Sequence, residues 1–354
     1  MTYYVATETG GVYTAASLDD PQNWSADNDG LGDLRCIDLV GYQSNLYVLV
    51  DGDTVADRAV YHKYGSGDWS QILTVAQART LASETDENST LYDLALDVIT
   101  GYLYVIFGYE GLASEDVPLR LLRYGDGAWS VLTPSSNDRH RNIGSVAAHN
   151  SVVVVGSVRG APAKRRIYVS PDDGDSWRES TGFDESTFRP WVFINPNGER
   201  IYATGGLRLY QIALDGTPTE LQEFAGIRPD SIAFVSAGEQ YLYDSGADLL
   251  RHTSDAWENV DDTDTVQDTN AIHWDTDQGA LLFGDELPDP QTLAQWDGDA
   301  LTGVSGPSPG SAPYTNSIPE TAGGVAPRAS VVQVDQLYAT SLFLHQYEYA
   351  GGCL

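Results

Sequence analysis

The sequence predicts an all-β fold built from repeats of one four-stranded antiparallel unit. Three observations lead to this prediction: an apolar hairpin that recurs along the chain, a second hairpin after most copies, and the composition. The chain contains 21 Tyr, 8 Trp, 35 Gly and 16 Pro, which favour strands and turns. Four-stranded units that recur every roughly 40 to 60 residues are typical of the blades of a β-propeller.

Each inner hairpin has an apolar strand, a short turn and a second strand rich in Val and Tyr. The copies span residues 36–50, 92–107, 144–156, 191–204, 231–243, 271–284 and 330–340. Counting these copies predicts a seven-bladed propeller of four-stranded antiparallel blades. Eight blades are the alternative, because element boundaries are the least certain part of such an assignment.

An outer hairpin with Gly, Asp or Ser in its turn follows most inner hairpins, and it usually carries a Trp. The copies span residues 61–73, 121–132, 166–180, 209–221, 249–260 and 293–304. The N-terminal segment supplies outer strands only, whereas the C-terminal segment supplies an inner hairpin and the run LFLHQYEY. We therefore expect residues 1–354 to form one propeller domain whose closing blade is shared by both chain ends, which removes exposed edges.

The charge pattern favours a protein that works at high salt. The formal net charge is −32, with 51 acidic and 19 basic residues, and only Lys63 and Lys164 are lysines. Such self-repulsion destabilises a compact chain at low ionic strength, but the Debye length falls to about 3 Å at 1 M salt. The acids are spread along the whole chain, which predicts a halophilic, haloarchaeal or haloarchaeal-virus origin. A nucleic-acid partner is excluded because no basic face can be assembled.

The chain ends and cysteines point away from secretion. The first residues lack a basic and an apolar signal region, and no apolar run approaches the roughly 20 residues of a membrane span. We expect synthesis in the cytoplasm without a signal peptide and no membrane insertion. Two cysteines, Cys36 and Cys353, cannot form a disulfide framework. Whether they pair with each other stays open.

One turn carries a motif that is specific enough to name. Residues 170–177 read SPDDGDSW, which fits the Asp-box pattern Ser/Thr-x-Asp-x-Gly-x-Thr/Ser-Trp. Its defining positions are Ser170, Asp172, Gly174, Ser176 and Trp177. The chain thus resembles the Asp-box (BNR, sialidase-like) propellers, which include sialidases, glucanases, sortilin-type receptors and photosystem assembly factors. The resemblance implies that this box is structural and lies away from the active face; the other copies are degenerate.

A second loop has the composition of a cation site. Residues 25–34 read SADNDGLGDL and resemble the calcium loop of integrin-type propellers, Asp-x-Asp-x-Asp-Gly-x-x-Asp-Leu. Ser25 stands where the first Asp would be, followed by Asp27, Asp29 and Asp33. Alternating carboxylates around a Gly bend suit Ca²⁺, which takes six to eight oxygen ligands. A solvated acidic turn is the alternative in so acidic a chain.

Five arginines precede inner strands and are therefore expected near one mouth of the channel. They are Arg35, Arg141, Arg189, Arg228 and Arg328. Together they could bind an anionic ligand, as the arginines of sialidases bind the substrate carboxylate. They could equally pair with neighbouring Asp residues and hold the blades together. No HExxH or phosphate-loop motif is present in the sequence.

These patterns favour a non-enzymatic binding or structural propeller. We expect its partners to be other protein subunits of an assembly, with a surface glycan as a further partner. The leading expectation is a virion component of a haloarchaeal virus, such as a spike, turret or tail protein. A sialidase-like or other glycoside hydrolase and a cytoplasmic assembly scaffold are the alternatives.

Overall fold

A computed structural model describes most of the chain. The described residues are 2–7, 10–16, 24–33, 35–42, 44–85, 87, 89–109, 120–134, 143–157, 166–180, 190–195, 200–205, 208–224, 229–236, 239–244, 249–253, 256–261, 269–275, 280–285, 293–296, 301–304 and 330–334. Within them the strands pair into seven four-stranded antiparallel sheets, which we label A to G.

Each sheet is named here with its strands. Sheet A has the order β28-β1-β2-β3, with β1 (Thr2–Thr7), β2 (Gly11–Ala15), β3 (Ser25–Ala26) and β28 (Ser330–Val334). Sheet B contains β4 (Cys36–Tyr42), β5 (Asn45–Val50), β6 (Ala59–Tyr64) and β7 (Ser70–Thr74). Sheet C contains β8 (Ser89–Leu96), β9 (Leu103–Tyr109), β10 (Arg120–Gly125) and β11 (Ala128–Leu132). Sheet D contains β12 (Ile143–His149), β13 (Val152–Ser157), β14 (Ile167–Ser170) and β15 (Arg178–Ser180).

The remaining three sheets repeat this pattern. Sheet E contains β16 (Trp191–Ile194), β17 (Ile201–Gly205), β18 (Arg208–Ile212) and β19 (Pro218–Glu223). Sheet F contains β20 (Pro229–Ser236), β21 (Glu239–Asp244), β22 (Leu249–Thr253) and β23 (Ala256–Asp261). Sheet G contains β24 (Thr269–Asp275), β25 (Ala280–Asp285), β26 (Leu293–Trp296) and β27 (Leu301–Val304). In sheets B to G consecutive strands are hydrogen-bonded neighbours, as the hairpin pattern predicts.

The two chain ends share sheet A, as the predicted closing blade requires. The hairpin expected at 330–340 stays a prediction, because its second strand at 337–340 lies outside the described part of the chain. Strand β28 pairs with β1, with Val332 opposite Tyr4 and Ser330 opposite Ala6. The N-terminal segment therefore provides three strands of this sheet and the C-terminal segment one. Backbone pairing joins the two ends because β1 offers its free edge to β28.

The hydrophobic core lies between neighbouring sheets. Cys36, Leu39 and Trp69 of sheet B pack with Ala6 and Val12 of sheet A. Further clusters join sheet B to C, sheet C to D and sheet D to E. Every residue of β8 is buried, because a strand packed on both faces loses the alternation of a half-exposed strand. Cys353 lies outside the described residues.

Polar groups on the first strands of sheets B, C and D fix how these sheets line up with their neighbours. Asp38 of β4 accepts a hydrogen bond from the backbone N–H of Leu94 in β8 at 2.8 Å. Asp93 of β8 accepts one from the N–H of Val146 in β12 at 3.2 Å. The Ser145 hydroxyl donates to the carbonyl of Pro190, the residue before β16, at 2.9 Å. The first strands of sheets B to E therefore start at one common end, which we call the mouth.

One α-helix, α1 (Val75–Ala82), follows β7 and leads to β8. Its N-cap is Thr74, whose hydroxyl accepts from the Gln77 N–H at 3.1 Å while the Gln77 side chain accepts from the Thr74 N–H at 2.8 Å. This reciprocal capping box satisfies two backbone donors that the first helical turn leaves unpaired. The helix ends at Ser83 in the left-handed conformation, φ 53°. No helix in the described ranges has the length and apolar character that crossing a membrane requires.

Candidate functional site: the mouth, two structural loops and an apolar groove

Arg35 lies at the mouth and is held by two carboxylates. Its Nη2 donates to Asp33 at 3.4 Å and to Asp53 at 3.0 Å, and its backbone N–H donates to Asp33 at 2.9 Å. The hydrogen bonds that this guanidinium donates to Asp33 raise its pKa. About a third of the side chain stays exposed. For this arginine the structure therefore shows pairing with neighbouring Asp residues.

The other four predicted arginines fall on undescribed parts of the chain. Arg141, Arg189, Arg228 and Arg328 lie outside the described residues, so an anion site formed by all five stays a prediction.

Sequence reasoning missed Arg58, which is the more buried mouth arginine. Its Nε donates to Asp51 at 2.8 Å, and its Nη1 donates across to the Leu91 carbonyl of sheet C at 3.2 Å. Only 5% of Arg58 is exposed. A planar guanidinium with five donors suits such a bridge between two sheets. The sequence feature that could have identified this residue is an Arg among the acidic residues that connect β5 and β6.

The acidic loop 25–33 binds a cation that the chain itself supplies. The Lys63 ammonium of β6 donates to Asp27 Oδ1, and both side chains are largely buried, at 8% and 16% exposed. The same ammonium lies 5.9 Å from the Trp69 ring centroid. The Trp69 indole donates to the Asp27 carbonyl at 2.7 Å. Asp27 is therefore engaged by sheet B from two sides.

The other residues of this loop join sheet A to sheet B. Asn28 accepts from the Val12 N–H at 2.7 Å, and the Asp29 carbonyl accepts from the Trp69 N–H at 2.8 Å. Gly30 has φ 93°, and a Cβ there would collide with the Trp69 carbonyl oxygen. Glycine is therefore required at position 30 because the Trp69 backbone approaches it closely.

The predicted calcium ligands do not converge on one point. Asp27 pairs with Lys63 and Asp33 with Arg35, while the Ser25 hydroxyl donates to the Thr14 carbonyl at 3.5 Å. In the described part of the chain no three His, Cys, Asp or Glu side chains are placed to hold a metal ion. Calcium binding by Ser25, Asp27, Asp29 and Asp33 stays a prediction. A Ca²⁺ ion would have to compete with these ion pairs for Asp27 and Asp33.

The turn at 170–177 is closed by its own side chains. Asp172 accepts from the Ser176 N–H at 2.8 Å and from the Ser176 hydroxyl at 2.6 Å. These bonds, the hydroxyl first, lower the pKa of the Asp172 carboxyl. The Ser170 hydroxyl accepts from the Gly174 N–H at 2.8 Å, and the Trp177 indole donates to the Gly174 carbonyl at 2.9 Å. All five motif positions therefore take part in one local network.

The same turn fastens sheet D to sheet C at the end opposite the mouth. Arg123 of β10 donates to the Asp173 carbonyl at 2.8 Å, and the Tyr104 hydroxyl donates to its carboxylate at 3.2 Å. Burial and the Asp173 charge raise the Tyr104 pKa. Trp177 packs against the cluster of sheets C and D. The geometry gives this motif a structural role, while membership of the Asp-box family stays a prediction.

An apolar groove lies between α1 and sheet C, a feature that the sequence patterns did not indicate. Its volume is about 460 Å³, and it is lined by Ile72, Leu73, Ala76, Gln77, Thr80, Leu81 and Trp129. Leu81 is 40% exposed although it is a large apolar residue. The signal that could have found the helix is the capping box Thr74-x-x-Gln77.

Comparison with known proteins bears on the fold. No family model matches the chain, and no curated protein matches it. Three similar solved structures are YCF48 from Cyanidioschyzon merolae, the GH74 xyloglucanase from Xanthomonas campestris and the WD40 β-propeller domain of Doa1. Their identities are 15%, 14% and 12%, and their TM-scores 0.52, 0.55 and 0.51.

The alignments extend over most of this chain. They cover 76%, 85% and 78% of it, and 86%, 46% and 82% of the respective structures. Likeness at such identities shows the fold alone, because one fold hosts many functions. The chain is therefore a β-propeller.

Proposed function

We propose that this chain is a seven-bladed β-propeller that acts as a non-catalytic binding subunit of a protein assembly. The blade number is supported by the contacts between the innermost strands: β4 touches β8, β8 touches β12, and β12 touches β16. Beyond them β20 touches β24, β24 touches β28, and β28 touches β4. These are six of the seven neighbour contacts that a closed ring of seven sheets requires; the seventh, between β16 and β20, is not among them in the described part of the chain.

The observation that carries the binding role is the difference between the two ends of the sheets. At the mouth, the connections run from Tyr109 to Arg120, from Leu132 to Ile143 and from Ser180 to Trp191. At the opposite end, Gly125 is joined to Ala128 and His149 to Val152 by tight turns. Long connections on a rigid scaffold are where propeller-like folds place their recognition surfaces. We therefore assign binding to the mouth face.

The charges at the mouth favour binding over glycoside hydrolysis. A sialidase-like site needs a cationic clamp for its substrate, whereas Arg35 is already engaged by Asp33 and Asp53. Arg58 is likewise engaged by Asp51. Ion pairs of this kind stabilise the mouth and leave its surface to contacts with a partner.

The setting that we propose is a halophilic one. The net charge of −32 is compatible with a compact chain when salt screens its repulsion. Within that setting we propose a virion component of a haloarchaeal virus that contacts other subunits and a host-surface glycan. A cytoplasmic assembly scaffold is the second candidate, and the photosystem-factor resemblance of the Asp-box turn motivates it.

Two measurements test this proposal. The first is quantitative mass spectrometry of purified virus particles and of cytosol from the halophilic source culture. We expect the chain to be enriched in virus particles together with other structural subunits. Enrichment in the cytosol with one client protein would favour the assembly scaffold. Absence of the chain from both virus particles and client complexes would contradict a binding subunit.

The second measurement addresses catalysis. We expect no turnover of a panel of chromogenic glycosides at molar salt. Turnover that is abolished by Arg35→Ala, Arg189→Ala or Arg328→Ala would overturn the proposal in favour of a hydrolase.

A further inference from the structure

We propose that Asp97 is a latch that holds three turns of sheets C and D together, so that these turns open and close as one unit. The turns are the β8–β9 turn (97–102), the β12–β13 turn (150–151) and the turn at 170–177, all at the end opposite the mouth. A latch of this kind belongs to the fold and is independent of what the chain binds. The hydrogen bonds of Asp97, the backbone of the β12–β13 turn and the contacts of Asp173 support it.

Asp97 is a fully buried carboxylate that accepts hydrogen bonds from two neighbouring sheets. Its Oδ1 accepts from the N–H groups of Ile99 and Thr100 in its own turn, at 2.9 and 3.2 Å. The same oxygen accepts from the Asn150 N–H of sheet D at 2.9 Å, and Oδ2 accepts from the Ser151 N–H at 2.7 Å. An ionised carboxylate can accept all four bonds, whereas a neutral amide of the same shape has one acceptor oxygen and one donor.

The β12–β13 turn has a backbone that needs this support. Asn150 and Ser151 have φ 51° and 66°, which is the left-handed region that side chains with a Cβ disfavour. Tight hairpin turns of this kind prefer glycine at the second position, as the β10–β11 turn has with Asp126 and Gly127, at φ 53° and 75°. The β12–β13 turn has serine there and receives the bonds to Asp97 instead. It therefore depends on Asp97 more than a turn with glycine would.

The β12–β13 turn passes the restraint on to the turn at 170–177. The Ser151 carbonyl accepts from the Asp173 N–H at 2.8 Å. Asp173, which has φ 57°, is held from sheet C as well. Its carbonyl accepts from Arg123 at 2.8 Å, and its carboxylate accepts from the Tyr104 hydroxyl at 3.2 Å. The bonds thus lead from sheet C through two turns of sheet D and back to sheet C.

Hydrogen bonds arranged in series in this way open together. If Asp97 releases the β12–β13 turn, the Ser151 carbonyl moves away from the Asp173 N–H, and the turn at 170–177 loses its link to that turn. Folded proteins open locally in contiguous cooperative units that often coincide with neighbouring hairpins. We therefore expect the N–H groups of the three turns to exchange with solvent as one group.

The experiment is residue-resolved hydrogen exchange of the whole chain at about 2 M KCl, where screening keeps the acidic chain compact. The variant is Asp97→Asn, whose NH₂ group must face at least one backbone N–H in either orientation of the amide. We expect the N–H groups of Asn150, Ser151 and Asp173 to exchange at least about tenfold faster than in the wild type. The Gly216 N–H, which donates to the Ala213 carbonyl in sheet E, should be unchanged.

Two further variants separate a latch from a general loss of stability. The matched control is Asp215→Asn, because the exposed Asp215 carboxylate accepts from the Thr217 N–H of its own turn at 2.9 Å. Its effect should stay within that turn. The rescue variant is Asp97→Asn/Ser151→Gly, since glycine adopts the left-handed backbone without a steric cost. It should bring exchange at Asp173 back to within about threefold of the wild type, and it should restore folding if Asp97→Asn alone does not fold.

Three results would overturn the latch. Equal exchange in the wild type and Asp97→Asn would show that the buried carboxylate holds none of the three turns. Faster exchange at Asn150 and Ser151 without a change at Asp173 would show that Asp97 supports its direct contacts and does not act through them. Failure of Ser151→Gly to rescue Asp97→Asn would remove the left-handed backbone as the reason why the turn needs the carboxylate.

Discussion

Lys63 neutralises a carboxylate of the acidic loop 25–33. The sequence pattern of loop 25–33 suits a metal ion, yet its Asp27 is paired with an ammonium from the neighbouring sheet. Only two lysines occur in the chain, and one of them, Lys63, forms this nearly buried ion pair. A buried carboxylate needs a cation beside it, because the unpaired charge is poorly solvated there.

We therefore predict that Lys63→Met destabilises the protein by about 3 kcal/mol, since removal of one partner leaves the Asp27 charge without compensation. Chemical denaturation at 2 M KCl measures the effect. The double variant Lys63→Met/Asp27→Asn should recover most of the loss, because it removes both charges. A double variant as unstable as Lys63→Met alone would show that packing of the lysine stem, and not the ion pair, is responsible.

At the scale of elements, a turn opposite the mouth joins sheet D to sheet C. The turn at 170–177 is stabilised by its own hydrogen bonds and also receives Arg123 and Tyr104 from sheet C. Gly174 has φ 94°, and a Cβ there would collide with Leu132 of sheet C. Gly127 has φ 75° in the β10–β11 turn, but a Cβ there would meet no atom within 4 Å.

These two glycines form a matched pair for a test. Gly127→Ala should cost about 1 kcal/mol, from backbone strain alone. Gly174→Ala should cost about 1–3 kcal/mol more, because the methyl group also pushes against a packed side chain. Thermal unfolding followed by circular dichroism compares the two variants. Equal losses would mean that the turn relaxes away from Leu132 and does not clamp sheets C and D.

At the scale of the whole molecule, charge and the pairing of the chain ends act together. Sheet A is held by pairing of β1 with β28, so both chain ends must stay in place for this sheet to keep its four strands. A net charge of −32 opposes this compact arrangement at low salt. Screening should therefore stabilise the folded chain as a whole.

We predict that the midpoint of thermal unfolding rises steeply between about 0.1 and about 2 M KCl, as the Debye length falls from about 10 Å to below 3 Å. Differential scanning calorimetry over this series measures the rise. A control series in sucrose, which strengthens burial without screening charge, should give a smaller rise. A midpoint that is independent of KCl would contradict the halophilic assignment.

Much of the strand pattern could be predicted from the sequence. The hairpins at 36–50, 144–156 and 191–204 correspond to β4–β5, β12–β13 and β16–β17. Local alternation, turn residues and β-branched runs carry that information, because they act within a few residues. The Asp172 turn belongs to the same class, since its hydrogen bonds lie within eight consecutive residues.

The parts that could not be predicted depend on contacts between distant residues. Helix α1 is too short for a clear helical period, and its groove exists only because Trp129 of the next sheet faces it. The partner of β28 is chosen by the free edge of β1, at the far end of the sequence. The ion pair between Asp27 of loop 25–33 and Lys63 of β6 likewise joins residues that are far apart in the sequence.

The sequence by itself determined the repeat, the strand class and the acidic surface, because periodicity and composition are local properties of the chain. Only the tertiary structure decided which charges are neutralised, which edge closes sheet A and where an apolar surface stays open. Those outcomes depend on distances across sheet boundaries, and spacing along the chain does not specify them.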